Sequence, residues 1–447
     1  MNHVIMRLRV VTGLFLAIIL CACSKEPERP NIFLITVDTL RADSLSCYGY
    51  PRATTPFLDG LAAEGVRFDR AYSTSPWTVP SVASMLSSAY VNEHGLGRRF
   101  RSGPRTGWAV LPPDVPHVAE LLHDAGYRTY GLVSNLNLRG ERGFNRGFDR
   151  YKCVGSVDID VVGAEIEPWL ADISDGDGPW FFWLHLFDPH GPYDGRQPWL
   201  DRFDAGWRRA AMMNGLQPLA FAQAAERAPA NAIAVAKACY DSEIRAVDEF
   251  VKSVFDRLPE ANDAFVLFSA DHGEAFLEHG HTLHGSSLFD EQIRIPFIAR
   301  FHDRRSKGTV VTEPVSLVDV LPTLVGAAGL EPPIRSSGVN LAGKHGVEVP
   351  VDRAIFAEQH SLRAVVDDRG KFLTSTGPSG KHEDKIFAPA DVGEETNLAA
   401  GLPGRVEEYK ALLDGYEQRV RSEAPPHVDM QRGVQEKLRA LGYVDGQ

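Results

Sequence analysis

The chain has 447 residues, 44% hydrophobic and 24% charged, an ordinary globular composition that excludes a disordered or collagen-like chain. Its net charge of −12 argues against a nucleic-acid partner, which would need a basic face to displace counterions, but leaves room for an anionic substrate in a locally positive cleft. Five cysteines in a chain this long exclude a disulfide scaffold.

Arg7 and Arg9 precede an apolar run, Val10 to Leu20, broken only by Thr12 and Gly13. The run is short for a bilayer span but suits the core of a secretory signal. It ends in Leu20-Cys21-Ala22-Cys23, which resembles the bacterial lipobox. The resemblance implies a signal peptide over 1–23, lipidation of Cys23 and a tether over 24–30. The plain alternative is a cleaved signal with two incidental cysteines. Ser24 in place of Asp implies, by the Gram-negative sorting pattern, an outer-membrane lipoprotein facing the periplasm or the cell surface. No second long apolar run follows, so the remainder is expected to be a soluble body held at a membrane by its lipid anchor. Export would permit one bridge among Cys47, Cys153 and Cys239.

Asn31 to Val37 is a continuous apolar run closed by Asp38, the pattern of a strand buried on both faces. Pro56 to Gly65 predicts a helix with Phe57, Leu58, Leu61 and Ala62 inward, and Val118 to Ala125 another, stopped by Gly126. Thr129–Val133, Trp180–Leu184 and Ala264–Phe268 predict further strands. Gln197–Ala236 is Ala-rich and predicts helices over the cleft. Asp241–Leu258 predicts a helix with Ile244, Val247, Phe250, Val251, Val254 and Phe255 on one face. Val315–Leu330 predicts one more. Beyond it lie a hairpin, Leu362–Asp367 with Gly370–Ser375 around Asp368-Arg369, and a closing helix at Gln431–Leu441. Alternating strands and helices predict an α/β domain over 31–335, a large mostly parallel sheet sandwiched by helices, with a small C-terminal α+β subdomain over 336–447. In such sheets chemistry collects at the carboxyl ends of the strands. Here those ends carry Asp38, Asp188 with His190, and Asp271 with His272.

Six of the fifteen histidines (His185, His190, His272, His279, His281 and His284) are interleaved with these aspartates. Singly, each His reads as a core or surface group. Jointly, Asp and His at successive strand ends predict a site for a divalent ion such as Zn, Mn or Mg. Pro80, just inside Ser73–Ser88, marks a helix start with Thr78 at or beside the N-cap. A hydroxyl there can act as a metal-held nucleophile or merely cap the helix.

These motifs fall in an order that resembles sulfatases and their relatives in the alkaline phosphatase superfamily. Asp38-Thr39-Leu40-Arg41-Ala42-Asp43 is followed by Tyr48-Gly49-Tyr50-Pro51 through Thr54-Thr55-Pro56, then Ser75-Pro76-Trp77-Thr78-Val79-Pro80-Ser81. His185 through His190 to Pro192-Tyr193 comes next, then Ser269-Ala270-Asp271-His272-Gly273-Glu274, Leu283-His284-Gly285, Ile295-Pro296 and Val318-Asp319-Val320-Leu321-Pro322-Thr323. The resemblance implies that Asp38, Asp271 and His272, with Thr78, hold a divalent ion (Zn, Mn, Ca or Mg). It places Thr78 as nucleophile, and His190 and His284 at positions that bind the substrate anion or a second metal, one of them assisting the leaving oxygen. Asp188 and His281 are implied candidates for a second ion.

The sequence also departs from sulfatases, which carry a Cys or Ser two residues before the Pro, oxidised to formylglycine, and an Arg two residues after it. This chain has Thr78, Pro80 and Val82, and the methyl of Thr blocks that oxidation product. Thr39 stands where a second Asp is usual. Val133-Ser134-Asn135 replaces a Lys- and His-bearing stretch, so that Asn135 offers an amide to the substrate. At the nucleophile the chain is similar to phosphoethanolamine transferases and lipoteichoic acid synthases, without their membrane-spanning bundle. The expected activity is hydrolysis of sulfate or phosphate esters of a small molecule, glycan or lipid. Phosphotransfer to envelope lipid or glycan is the alternative, and a binding protein on a retired enzyme fold is a third.

Overall fold

The structure is a computed structural model that describes residues 29–97, 108–203, 229–376, 382–429, 433–434 and 436–437. The signal segment with Cys23, the part of the Ala-rich insertion at 204–228 and most of Gln431–Leu441 lie outside the described residues. Among the described residues no helix is long and apolar enough to cross a membrane.

The first strand of the described residues is β1 (Ile32–Val37), buried along its whole length, as its unbroken apolar run requires. In chain order there follow α1 (Pro56–Glu64), β2 (Val66–Phe68), α2 (Thr78–Ser87), α3 (Val118–Asp124), β3 (Arg128–Val133), β4 (Arg150–Cys153) and α4 (Ile159–Asp175). Then come β5 (Trp180–Leu186), α5 (Pro229–Arg257), β6 (Phe265–Ala270), β7 (Phe297–Arg300), β8 (Thr309–Val311) and α6 (Val320–Ala327). The strands form one eight-stranded sheet in the order β8-β2-β7-β6-β1-β5-β3-β4. Only β7 runs antiparallel to its neighbours. The architecture is therefore α/β with a large, mostly parallel sheet flanked by helices, as the sequence predicts. Phe33 stacks on Phe182 at 5.1 Å between ring centroids, joining β1 to β5, and Phe148, from the segment ahead of β4, stacks on Phe181 and Trp183 of β5.

Some expectations need correction. The helix placed at Asp241–Leu258 is the second half of a 29-residue helix, α5, which starts at Pro229 inside the Ala-rich insertion and runs on without a break. Val315–Leu330 is not one helix. Val315–Ser316 is a short strand paired with Ala71–Tyr72, and Leu317–Asp319 is a 3-10 turn. Ser316 and Asp319 cap each other reciprocally there, which delays the start of α6 to Val320. Cys47, Cys153 and Cys239 are free thiols, so the bridge that export would permit is not made.

The C-terminal part is a four-stranded antiparallel sheet, β9 (Ile355–Gln359), β10 (Leu362–Asp367), β11 (Gly370–Thr376) and β12 (His382–Phe387), followed by α7 (Pro403–Glu417). Its side chains alternate. Phe356, Val365, Phe372 and Ile386 pack under α7 against Tyr409, Leu413 and Tyr416. Ile355, Ala357, Ala364, Val366 and Phe387 face Leu288, Phe289 and Ile293 of the large domain. The end of β9 thereby reaches the loop ahead of α2, where Glu358 N–H donates to the Thr74 carbonyl at 2.9 Å.

Candidate active site

Asp38, Asn135, Asp188 and Asp271 follow the carboxyl ends of β1, β3, β5 and β6, so the parallel sheet delivers them to one rim. After Asp38 the chain turns at Thr39, whose φ of 54° is left-handed and unfavourable for a β-branched residue. That turn aims the Thr39 N–H at Asp271 Oδ1, at 3.2 Å, and the His272 N–H donates to the same oxygen at 2.8 Å. Asp271 Oδ1 is thus fixed, and Oδ2 is buried with no hydrogen-bond partner among the described residues. Asp38 matches it. Asn135 Nδ2 donates to Asp38 Oδ2, while Oδ1 is buried and unpartnered. His272 Nδ1 bonds the Gly273 carbonyl at 2.9 Å and so carries the ring proton, leaving the Nε2 lone pair turned inward. That Nε2 lies 3.6 Å from Asp38 Oδ1 and 3.5 Å from Asp271 Oδ2.

Two bare carboxylate oxygens and one imidazole lone pair, all within 4.8 Å of one another and fully buried, make a donor set that fits a divalent cation. Without a counter-ion the two carboxylates cannot both stay ionised. Burial, and then the facing Asp38, pushes the proton affinity of Asp271 well above the carboxylate range. Burial opposes ionisation of Asp38 too, but its contact with His185 and the nearby imidazoles hold it below that range. Burial and the neighbouring His284 push His272 down to about 3, so its ring is a neutral ligand.

Thr78 is the first residue of α2, and the N-cap is Trp77, which makes no side-chain cap bond. The Thr78 hydroxyl is therefore not spent on capping. It stands 3.4 Å from His272 Nε2 and 3.5 Å from Asn135 Nδ2. Asn135 thus joins Asp38 to Thr78. The loop ahead of α2 is held by serines: Ser81 Oγ donates to the Ser75 and Trp77 carbonyls and meets Ser73 Oγ at 2.9 Å. Gln359, from the C-terminal sheet, donates to the Gly285 carbonyl at 3.0 Å, next to His284.

His190 and His284 meet at the same mouth, with ring centroids 4.9 Å apart, and His284 lies 4.6 Å from the His272 ring. His190 Nδ1 bonds the Gly191 carbonyl at 2.6 Å. Burial lowers its pKa, with His284 adding to the effect. His284 Nδ1 sits 3.1 Å from Glu274 Oε1. Burial works against charge on His284, but Glu274 outweighs it and raises the pKa.

Asp188 and His281 are not brought to the ion cluster. Asp188 accepts from the Ile159 N–H at 2.7 Å and from Arg196 at 3.4 Å, so its carboxylate is occupied at the start of α4. His281 is half-buried, and its main-chain groups bond to Leu277 and Glu278. Two residues of the sequence motifs, His185 and Glu274, receive no individual role from the sequence, yet both stand in this cluster. Both were visible inside motifs, His185 two residues after Trp183 on β5 and Glu274 in Asp-His-Gly-Glu. Their partners, Asp38 and His284, are distant in the chain or across an irregular loop.

The sulfatase family model matches residues 30–330, the span that carries the eight-stranded sheet and the Asp-His cluster. A Delta 4,5-hexuronate-2-O-sulfatase of Bacteroides thetaiotaomicron is 24% identical over 88% of this chain and 90% of its own. A protein solved in complex with its substrate D-glucosamine-2-N,6-O-disulfate superposes with a TM-score of 0.69 at 19% identity, covering 89% of this chain and 99% of its own. The phosphonate monoester hydrolase of Agrobacterium radiobacter superposes with a TM-score of 0.67 at 19% identity, covering 90% and 100%. With motif order, sheet topology and family match coinciding over one stretch, the chain belongs to the sulfatase family, ester hydrolases of the sulfuric and phosphoric class on an alkaline phosphatase-like fold.

Proposed function

We propose that this chain is a metal-dependent hydrolase of sulfate or phosphate esters in which Thr78 is the nucleophile. The observation that carries the reading is the Thr78 hydroxyl, released from capping and 3.4 Å from His272 Nε2 at the edge of the Asp38–Asp271–His272 cluster. Asp38, Asp271 and His272 would hold one divalent ion (Zn, Mn, Ca or Mg), which supplies charge withdrawal from the ester's non-bridging oxygens and a lowered proton affinity at an adjacent hydroxyl. Thr78, having lost its proton to solvent, attacks phosphorus or sulfur in line with the leaving oxygen. Asn135 holds the Thr78 oxygen, and the amides of the first turn of α2 favour the anion that gathers there. His284, whose proton affinity Glu274 raises, gives the leaving oxygen its proton as the ester bond breaks, with His190 beside it facing the anion. Water then attacks the covalent ester, returns a proton to His284 and frees Thr78.

The glycan sulfatases among the relatives support a sulfated or phosphorylated glycan or small molecule as substrate. The apolar run Val10–Leu20 and the lipobox at Cys23 support export and a lipid anchor at the outer membrane. The test is a panel of aryl sulfates, phosphates, phosphodiesters and phosphonates run against several divalent ions. Release of inorganic anion, lost in Thr78→Ala, is the expected result. Transfer to an added alcohol without such release would assign the chain to phosphotransfer, and no turnover of any ester would overturn the reading.

A further inference from the structure

One buried histidine of the cluster has no place in the chemistry above. His185 is fully buried, and its Nε2 lies 3.6 Å from Asp38 Oδ2 with no hydrogen-bond partner among the described residues. Its Nδ1 meets Thr36 Oγ1 at 2.8 Å. Trp183 Nε1 donates to that same Thr36 oxygen at 2.9 Å. The arrangement follows from strand geometry. The parallel register of β1 and β5 sets Thr36 opposite His185. Period-2 alternation places Trp183 on the same face as His185, and Asp38, just past β1, on the same face as Thr36.

The chemistry of these groups allows one proton arrangement. An indole N–H only donates, so Thr36 Oγ1 is an acceptor toward Trp183. A hydroxyl carries one hydrogen, and the acceptor available to it in this structure is His185 Nδ1. Nδ1 is then the lone-pair nitrogen, and the ring proton is on Nε2, facing Asp38. The opposite tautomer would aim both Trp183 and His185 N–H groups at Thr36, strand the hydroxyl hydrogen, and set a ring lone pair against a carboxylate oxygen. The doubly protonated ring meets the same obstacle at Thr36.

Resting on the metal reading of this cluster, we infer that His185 is a positioning residue. The relay Trp183–Thr36–His185 locks its Nε2–H tautomer and turns that N–H toward Asp38 Oδ2, the oxygen that also accepts from Asn135, which leaves Oδ1 as the oxygen that Asp38 offers a cation. Groups that orient a ligand in this way typically change metal affinity by about 10–100-fold when removed.

The test uses the full chain. In the metal-free protein with 15N-labelled histidine, long-range proton–nitrogen spectra report each ring's tautomer, and His185→Gln identifies the signal. The expected pattern is Nε2–H with a hydrogen-bonded Nδ1. Thr36→Val, of equal shape, should shift the Nδ1 resonance toward that of an unbonded ring nitrogen, and Thr36→Ser should restore it. In Zn2+ titrations against a chromophoric chelator, His185→Met should bind about 10-fold more weakly, and His185→Gln, which keeps an N–H donor, should stay within about threefold of the parent. A parent spectrum showing Nδ1–H or imidazolium overturns the inference. So does His185→Met binding Zn2+ as tightly as the parent while folded. A parent chain that binds no Zn2+ would sink the metal reading, and the metal-free spectrum would still decide the tautomer.

Discussion

Buried aspartates at two places along the carboxyl ends of the same sheet are treated in opposite ways. In the first, Asp38 and Asp271 each have one oxygen fastened by N–H donors and one left bare, and the bare oxygens turn toward His272 Nε2. No Lys or Arg among the described residues pairs with either. In the second, Asp188 has both oxygens engaged, by the Ile159 N–H and by Arg196, and Arg196 also reaches Asp158 at 3.1 Å and Asp160 at 2.5 Å. A buried carboxylate that is fully matched inside the protein is scaffold, here tying the loop that bears His190 to the start of α4. A carboxylate with a bare oxygen aimed at other bare donors is an incomplete coordination shell. The same residue type at equivalent strand ends thus serves structure in one place and chemistry in the other.

The sharpest way to break this contrast is at the hydroxyl that borders only the first cluster. Thr78→Ala should lower kcat by about 10^4-fold or more, the scale of losing a nucleophile, with the unfolding midpoint unchanged. Thr78→Ser should keep measurable turnover. A Thr78→Ala chain of full activity would remove Thr78 from the mechanism and leave the cluster without a reacting group. The next test compares the clusters directly. Asp271→Asn replaces a bare oxygen donor and should weaken Zn2+ binding by about 100-fold, read by elemental analysis after dialysis and by chelator competition. Asp188→Asn should change it by less than about threefold, since that carboxylate does not face the ion cluster. Equal losses in the two variants would mean that the clusters share an ion.

How much of this was legible in the sequence depends on burial. Strands buried on both faces, such as β1 and β5, read as apolar runs and were found. The edge strand β4, Arg-Tyr-Lys-Cys, is only partly buried and carries no such run. Short β7 is hidden behind Pro296 and pairs antiparallel with β6, which no local pattern announces. In the site, Asp38, Asp271 and His272 were legible because they follow strands and the sheet does the positioning. His281 and His284 were not separable by spacing, because the loop between β6 and β7 is irregular. Leu277, His279 and Leu283 all take left-handed backbone there, so neighbouring side chains leave in unrelated directions. The Asp188 environment was invisible for a different reason: Arg196 reads as a surface charge until the turn between them is built.

The smallest effect separates the clusters by stability. Burial raises the Asp188 pKa from 3.8 to about 6, against the pull of Arg196. Between those two values the folded chain holds a proton on Asp188 that the unfolded chain has released. The stabilisation is therefore complete below pH 3.8 and is lost as pH rises through about 6. Glu243, buried beside Asp188 and also raised, acts in the same direction. Urea unfolding of the parent across that window should show stability falling with pH, and Asp188→Asn should remove about 3 kcal/mol of that fall while leaving a residual slope from Glu243. If the slope is unchanged in Asp188→Asn, Asp188 is ionised throughout. Arg196 and the helix start then neutralise it completely, which sharpens the contrast with Asp271, the carboxylate that no Lys or Arg among the described residues pairs with.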